Sequence, residues 1–530
     1  MSEYKEYTVT TESPELTDAV WDALLNDGSN LTTIPIRPVE VANERPNNPL
    51  NTSYWLTDRE AEFLREDPRV VDVQDLNTFK PHKLAFQVGT FDKTTTETGP
   101  KANWGLLRHS KTDNIYGTSL LDPGGTYDYV LDGSNVDVVI IDSGIQANHP
   151  EFLYSDGSGA SRVNPIDWFA VSGVSGSMPL GFYQDFDGHG THVAATVAGL
   201  TFGWAKNARI YSIKLEGLKA PRDTGNGFDI ATAFDVLIGW HNNKTNGRPT
   251  VVVNSWGYGI FHRADLEAFS FGLDESETLY QINGGVYRGT PWEGTVLDPA
   301  KGHTGVLVAP STYRYPFRVA AVDADIRTGA EAGILFVNAA GNEFIKIDVQ
   351  GGVDYNNYIS TDFGPFTYHR GGTPGASITA RESVATVGSI DHQTVTGSSV
   401  ERKSNFSNSG PGVTVYAAGS RILSAMSQVN DDNSNIPYFL NGSFKQQLLS
   451  GTSMAAPQIA GIAALVYQMH PDWTPRQVIN FIRDKAFPSL YKSDLTNDYT
   501  NVHSVHGGGN LIAYVPMASQ RKFSFLRATV

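Results

Sequence analysis

Three glycine-flanked segments carry side chains that could perform acid-base and nucleophilic chemistry. Asp142 ends the apolar run VVIID and is followed by Ser143 and Gly144. His189 opens a run of small residues in DGHGTHVAA, and Ser453 lies in SGTSMAAP. A serine hydroxyl is a weak nucleophile until a base accepts its proton, and an imidazole base needs a carboxylate to hold its tautomer. The chain therefore offers an acid, a base and a hydroxyl for a nucleophilic triad.

Each of these residues also has a simpler explanation. An aspartate at the end of a strand is often a cap, and a serine at the start of a helix is usually an N-cap. His189 and His192 are three residues apart and could bind a metal ion, but no third ligand follows on the same helix and the HExxH spacing is missing. The three residues together favour catalysis, because the chain pairs an acid with a base and because glycine and alanine around Ser453 leave room for a substrate backbone.

The order Asp, His, Ser and the local sequences DSG, GHGTHVA and GTSMAAP resemble the subtilisin superfamily, and its proteinase K branch most closely. The resemblance implies that Ser453 is the nucleophile, that His189 is the general base and then the acid, and that Asp142 orients the imidazole. It covers residues 103 to 516 and continues through four further segments: 145–152, 203–214, 404–407 and 510–514.

The same resemblance assigns the groups that bind substrate. Asn342 ends the segment GILFVNAAGN and is expected to form the oxyanion hole with the backbone N–H of Ser453, although AGN is also a common turn. Polypeptide substrate is expected to add as a strand along residues 255–257, with Ala340 and Gly341 as the opposite wall of the P1 pocket. The segment along which substrate is expected to add consists of Ser255, Trp256 and Gly257. The bulky Trp256 suggests a narrowed distal subsite.

Departures from the family pattern leave the triad complete. Ser143 replaces a threonine, Ala195 a glycine and Gln458 a histidine. Thr414 stands where many relatives have an aspartate that binds a structural calcium ion. We therefore expect that no cofactor is required and predict no metal ligands; structural calcium is possible, without an assigned site.

Composition narrows the function further. The chain has 530 residues, with 40 basic and 56 acidic side chains and a net charge of −16, which disfavours binding to nucleic acid and to anionic membranes. Cysteine is absent, so disulfides and a thiolate nucleophile are excluded. The first fifteen residues lack the features of a Sec signal peptide, and no apolar stretch is long enough to span a membrane. These features predict a cytoplasmic or particle-associated protein, such as a virion component.

Apolar, β-branched runs alternate with helical patterns beyond residue 103, which predicts a three-layer α/β domain with a mainly parallel central sheet. Residues 1–80 instead give strand, helix, strand, strand, helix, strand, typical of a small ferredoxin-like α+β domain. Thr57 and Glu60 have capping-box spacing at the second helix. Residues 55–76 resemble the end of a subtilisin propeptide, so this domain is expected to be an intramolecular chaperone and inhibitor.

The predicted organisation is a propeptide-like domain at 1–80, a linker or processing segment at 81–102 and a catalytic domain at 103–520. We expect self-cleavage between Leu76 and Asn103. Two insertions, about 258–318 and 344–369, flank the Asn342 strand, and the first is favoured as a cover over the cleft, with a solvated decoration as the alternative.

Two other functions compete with peptide hydrolysis. A protease-like structural or binding module of a larger particle, with little activity, would fit the insertions. A hydrolase of esters or lipids would require the sequence GxSxG around the nucleophile, and GTS stands there instead. The complete triad and oxyanion donor favour a serine endopeptidase.

Overall fold

The structure is a computed structural model of the chain. It describes residues 4–515 except 26–36, 44–49, 76–84, 95–101, 174, 178–183, 216–229, 258–259, 264–280, 283–284, 287–311, 316–319, 343, 345, 350–357, 362–363, 368–382, 431, 433 and 493–500. The two predicted insertions lie mostly outside these residues, so the prediction of a cover over the cleft does too. The chain divides into two compact units, Met1–Lys83 and Leu84–Val530.

The first unit follows the predicted succession of strands and helices. Its described strands form a four-stranded antiparallel sheet in the order β2-β3-β1-β4. The second strand is shorter than the predicted 37–42. The elements are β1 (Lys5–Thr11), α1 (Pro14–Leu25), β2 (Val41–Asn43), β3 (Asn51–Leu56), α2 (Asp58–Leu64) and β4 (Val70–Gln74).

Local sequence explains much of this unit. The Thr57 hydroxyl accepts a hydrogen bond from the Glu60 backbone N–H at 3.3 Å, and the Glu60 carboxylate accepts one from the Thr57 N–H at 2.7 Å. The predicted capping box is thus confirmed and fixes the start of α2. Val9 on β1, Leu24 on α1 and Leu64 on α2 are buried in one apolar cluster, so the unit has a core of its own.

The second unit alternates strands and helices around a larger sheet. The Thr474 hydroxyl caps its last helix, with Gln477 completing a second capping box. The elements are β5 (Ala85–Val88), α3 (Trp104–His109), β6 (Thr126–Tyr129), β7 (Asp137–Asp142), β8 (Val163–Pro165), α4 (Trp168–Ser172), α5 (His189–Ala198), β9 (Arg209–Lys214), α6 (Ile230–Asn243), β10 (Thr250–Asn254), β11 (Ile260–Arg263), β12 (Gln281–Ile282), β13 (Gly285–Val286), β14 (Thr312–Tyr315), α7 (Ala320–Glu331), β15 (Ile334–Ala339), β16 (Tyr358–Thr361), β17 (Gly364–Thr367), β18 (Val384–Thr394), β19 (Glu401–Lys403), β20 (Val415–Ala418), β21 (Ile422–Met426), β22 (Ile436–Tyr438), β23 (Asn441–Leu449), α8 (Thr452–Met469) and α9 (Pro475–Lys485).

The central sheet is mainly parallel, as predicted. Within the described residues it has eight strands in the order β19-β18-β15-β10-β7-β9-β8, and β20 pairs with β18. Only the β18–β19 pair is antiparallel among these neighbours. Because the carboxyl ends of parallel strands share one edge, residues that follow β7, β10 and β15 are brought close together.

Side chains of the central strands alternate between two apolar layers. On β7, Val138 and Ile140 face a cluster that includes α5 and α8, while Val139 and Ile141 face a cluster that includes α6 and α7. Strands buried on both faces read as unbroken apolar runs, which is why VVII has no polar alternation. The predicted three-layer α/β fold is confirmed. Among the described residues, none of the helices combines the length and the apolar character needed to cross a membrane.

Candidate active site

The structure places the predicted triad at the ends of three different elements. Asp142 is the last residue of β7, His189 is the first residue of α5, and Ser453 is the second residue of α8. Gly451 is the N-cap of α8, so Ser453 is not the N-cap that the simpler explanation assumed. A backbone N–H in the first turn of a helix has no partner within that helix. The Ser453 N–H is therefore available to a substrate.

Asp142 and His189 form a direct pair. The Nδ1 atom of His189 lies 2.8 Å from Oδ1 of Asp142, and the same oxygen accepts a hydrogen bond from the Ser143 N–H at 2.7 Å. The Asp142 side chain is 1% exposed and the His189 side chain 28%. The carboxylate therefore lies behind the imidazole and fixes its orientation, with Nε2 as the ring nitrogen that remains for proton transfer.

The environment of His189 favours its protonated form. Burial alone lowers the pKa of the imidazole, but the charge of Asp142 and the hydrogen bond to it outweigh burial and raise that pKa to about 9. The charges of Asp187 and Asp185 act in the same direction. An imidazole in this setting holds a proton well once it has accepted one, as the predicted role of general base requires.

The Ser453 hydroxyl is held by Ser255, which lies in the segment predicted to bind substrate. Its Oγ donates a hydrogen bond to the Ser255 carbonyl at 2.7 Å, and the Ser255 hydroxyl donates to the Ser453 carbonyl at 3.0 Å. Hydrogen bonds between catalytic groups are often loose in enzymes without substrate and tighten in the complex. The predicted transfer of the Ser453 proton to His189 requires that the hydroxyl first release the Ser255 carbonyl.

Asn342 is oriented by a neighbour that the sequence did not single out. Its Oδ1 accepts hydrogen bonds from the N–H and the hydroxyl of Thr452, both at 2.9 Å, which turns the amide NH2 away from Thr452. A Cβ atom built on Gly451 would lie 3.5 Å from the Ser453 nitrogen and 3.6 Å from Nδ2 of Asn342. Both expected oxyanion donors therefore border the space next to Gly451, and glycine keeps that space open.

The expected walls of the substrate site have firm backbone anchors. The carbonyls of Ala340 and Gly341 accept hydrogen bonds from the side chain and the backbone N–H of Asn408, at 2.9 and 3.0 Å. The Gly341 N–H donates to the Thr452 hydroxyl at 3.0 Å, and its φ of 99° lies in the region that favours glycine. The Ala340–Gly341 wall is thus tied to the residue next to Ser453.

Trp256 follows β10 and combines exposure with packing. Its indole N–H donates to the carbonyl of Ile141, the residue before Asp142, at 2.7 Å. Its ring centroid lies 6.2 Å from that of Phe234. Part of the indole is therefore used to anchor the wall against the layer of α6, and the narrowing of a distal subsite stays a prediction.

The two histidines of the GHGTH segment have different environments. His192 is fully buried, and its Nε2 lies 3.0 Å from the Ile422 carbonyl and 3.2 Å from the Gln447 carbonyl. Burial and the nearby His189 lower the pKa of His192 to about 3, so its ring is neutral. The metal-binding alternative for this pair is not supported, because His192 joins α5 to β21 and β23 instead.

Thr414, where many relatives have a calcium-binding aspartate, is hydrogen-bonded to Thr386. The Thr414 hydroxyl accepts a hydrogen bond from the Thr386 N–H at 3.0 Å, and Thr414 brings no carboxylate to this position. Across the part of the chain that the structure describes, no group of three or more His, Asp or Glu side chains is arranged to hold a metal ion. Calcium binding by this family is compatible with the chain, but the residues at Thr414 do not fit it.

The fold and the site together define a serine hydrolase with a parallel α/β sheet. A family model described as the subtilase family matches residues 133–509, more than half of the chain, so this protein belongs to the subtilase family. The chain is a subtilisin-like serine endopeptidase. The alternative of a nearly inactive structural module is not supported by these comparisons.

Curated relatives agree with that assignment. The chain is 24% identical to an extracellular serine proteinase of Thermus sp. over 82% of this chain and 70% of the relative. It is 27% identical to a subtilisin-like protease of Coccidioides posadasii, covering 78% and 68% of the two chains. Subtilisin E of Bacillus subtilis is 24% identical, covering 72% and 68%. A solved cold adapted subtilisin-like serine proteinase aligns with a TM-score of 0.45 and 23% identity, over 78% and 98%.

The expectation of a cytoplasmic or particle-associated location is wrong. The matched relatives are subtilisins and related proteinases, among them one named as extracellular. The expectation rested on the first fifteen residues, which lack the features of a Sec signal peptide, and on the lack of an apolar stretch long enough to span a membrane; neither absence fixes where the protein works. The net charge of −16 and the absence of cysteine are compatible with a location on either side of a membrane.

Proposed function

We propose that this protein hydrolyses peptide bonds within polypeptides through an acyl-enzyme on Ser453. The observation that supports this most is the 2.8 Å contact of His189 with the buried Asp142. The Ser453 N–H and the Asn342 amide add donors on both sides of the space at Gly451. These groups provide a base, an orienting acid, a nucleophile and an oxyanion hole.

Substrate binding prepares the nucleophile in this proposal. The peptide adds as a strand along the segment Ser255–Trp256–Gly257, opposite Ala340 and Gly341, and main-chain pairing explains how many sequences can bind. A substrate N–H that hydrogen-bonds to the Ser255 carbonyl competes with the Ser453 hydroxyl, which donates to that oxygen in this structure. Binding thus releases the hydroxyl to turn toward His189.

The reaction then proceeds by two balanced proton transfers. Ser453 Oγ attacks the carbonyl carbon while its proton passes to Nε2 of His189, and the oxyanion accepts hydrogen bonds from Asn342 and from the Ser453 N–H. The C–N bond breaks as His189 returns the proton to the leaving amine, which leaves an ester on Ser453. Water repeats the sequence, with His189 again as base and then acid, and releases the carboxylic acid.

The N-terminal unit is proposed to act as an intramolecular chaperone and inhibitor. Its ferredoxin-like sheet and its separate core support a domain that folds as a body of its own. We propose the boundaries 1–80 for this domain, 81–102 for the processing segment and 103–520 for the catalytic domain. The cut between Leu76 and Asn103 would release the domain from the catalytic part, and most of that segment lies outside the described residues.

The proposed function is tested with an internally quenched peptide library and intact-mass spectrometry. The wild type is expected to cleave peptides internally and to lose its N-terminal domain, whereas Ser453→Ala does neither. Equal chain lengths in the two proteins would refute self-processing but would leave the proposed cleavage of other peptides standing. A Ser453→Ala protein that cleaves the library as fast as the wild type would refute the proposed nucleophile.

A further inference from the structure

Asp185 is a buried carboxylate close to the triad that takes no part in the steps above. It lies in the loop before α5 and is 1% exposed. Its Oδ1 accepts hydrogen bonds from the Ser143 hydroxyl at 2.9 Å, the Gly188 N–H at 2.7 Å and the Asp187 N–H at 3.2 Å. Its Oδ2 accepts from the N–H and the hydroxyl of Thr191, at 2.8 and 2.5 Å.

The donors come from both sides of the contact between Asp142 and His189. Ser143 directly follows Asp142 at the end of β7, whereas Gly188 directly precedes His189 and Thr191 belongs to the first turn of α5. The carboxylate therefore bridges the strand that carries the acid and the helix that carries the base. It also satisfies the N–H groups that a helix start leaves without partners, where a negative charge is favourable.

A second contact closes this bridge. The Ser143 hydroxyl, which donates to Asp185, also accepts a hydrogen bond from the Gly190 N–H at 2.9 Å. A Cβ atom on Gly190 would lie 2.2 Å from the Gly144 carbonyl and 3.2 Å from Cβ of Asp142, so the helix start touches the strand end directly. The loop of Asp185 is held from outside as well, because the Ser427 hydroxyl donates to the Asp185 carbonyl at 2.6 Å.

We propose that Asp185 is a positioning residue that holds the first turn of α5 against the end of β7, so that His189 stays within hydrogen-bond distance of Asp142. The proposal rests on the function proposed above. A displacement of about 1 Å in a catalytic group costs on the order of 10²-fold in rate. An amide at position 185 keeps one acceptor oxygen and sets an NH2 group against the donors that bond the other oxygen, which allows such a displacement. Asp185 acts on the substrate only through His189.

The charge of Asp185 has an effect that can be separated from its hydrogen bonds. The charged and titratable groups near His189 are Asp142 on β7, Asp185 and Asp187 in the preceding loop, and His192 on α5. Asp187 raises the pKa of His189, as Asp185 does. Asp187→Asn removes a charge near the imidazole without touching the bridge, so it is the matched control for Asp185→Asn.

The experiment measures kcat/KM for a short chromogenic peptide from pH 5 to 10.5, per active site titrated with a fluorophosphonate. For Asp185→Asn we expect the high-pH plateau to fall by about 10²-fold and the acid limb to move to lower pH. For Asp187→Asn we expect the same direction of shift with an unchanged plateau. Ser143→Ala should lower the plateau, and Ser143→Thr, which keeps the hydroxyl, should restore it.

The outcomes separate positioning from charge and from folding. If the kcat/KM plateau of Asp185→Asn per titrated site equals that of the wild type, the proposal is overturned. This holds even if fewer active sites are titrated in the variant, because Asp185 would then affect only folding. If Asp185→Asn does not fold, Ser143→Ala decides: a lower plateau supports the proposal and a wild-type plateau overturns it. A wild type that the probe does not label refutes the proposed function itself.

Discussion

The titration of His189 gives a prediction that follows directly from the geometry of the site. The base must be neutral before attack, so kcat/KM follows the deprotonated fraction of His189 in the free enzyme. With its pKa raised to about 9 by Asp142, the neutral fraction is about 1% at pH 7 and one half at pH 9. We therefore expect kcat/KM for a small peptide substrate to rise about 50-fold between these values, in stopped-time assays at constant ionic strength.

The variant Asp142→Asn tests the cause of this shift. Without the carboxylate, burial remains and lowers the pKa of His189, so the profile should become flat above pH 7. The plateau should fall by about 10⁴-fold, since an amide does not hold the required tautomer. Asp235→Asn, an exposed position on α6, is the control and should leave the profile unchanged. A wild-type midpoint at or below 6.5, or an unchanged midpoint in Asp142→Asn, would refute the reasoning.

Three further predictions concern the oxyanion hole and stability. Asn342→Ala should lower kcat by about 10²–10³-fold with little change in KM. Gly451→Ala should keep the wild-type Tm, because a φ of 167° suits any residue, yet lower kcat, because its Cβ would stand within 3.6 Å of both oxyanion donors. Burial lowers the pKa of Lys206 in the folded protein to about 7, so between pH 7 and 10 the unfolded chain binds more protons at this residue than the folded one. Lys206 therefore makes the free energy of unfolding, measured with urea, rise with pH over this range. Lys206→Met should remove that part of the rise.

Each of these predictions has a result that contradicts it. Wild-type turnover in Asn342→Ala would show that this amide does not contact the oxyanion. A large fall in the Tm of Gly451→Ala would mean that the lost activity reflects unfolding. If Lys206→Met and the wild type show parallel stability curves from pH 7 to 10, Lys206 is charged in the folded protein over the whole range.

The parts of the fold and of the site that follow from the sequence are those set by interactions between residues close together in the chain. The run VVII before Asp142 predicts a strand buried on both faces, and its side chains alternate between the two layers. The Thr57 and Glu60 spacing predicts a helix start, because the capping hydrogen bonds join residues only three apart. The three glycine-rich segments predict the residues of the triad, which lie at the end of β7 and at the starts of α5 and α8.

The parts that sequence did not provide depend on contacts between distant residues. Thr452 orients Asn342 across 110 positions, and nothing in the segment SGTSM shows that this threonine contacts the proposed oxyanion donor. Asp185 lies beside the recognised GHGTH segment, but its bond to Ser143 spans 42 positions. The indole N–H of Trp256 reaches the Ile141 carbonyl across 115 positions, an anchor that the segment SWG does not show.

The central claim is that Ser453 is a nucleophile activated by His189, and covalent labelling tests it most directly. The purified protein is treated with a fluorophosphonate at pH 9, digested, and mapped by tandem mass spectrometry. We predict one adduct, on the peptide that contains Ser453, with no adduct in Ser453→Ala and strongly slowed labelling in His189→Ala. Labelling at another serine, or a wild type that stays unlabelled while folded, would contradict the account.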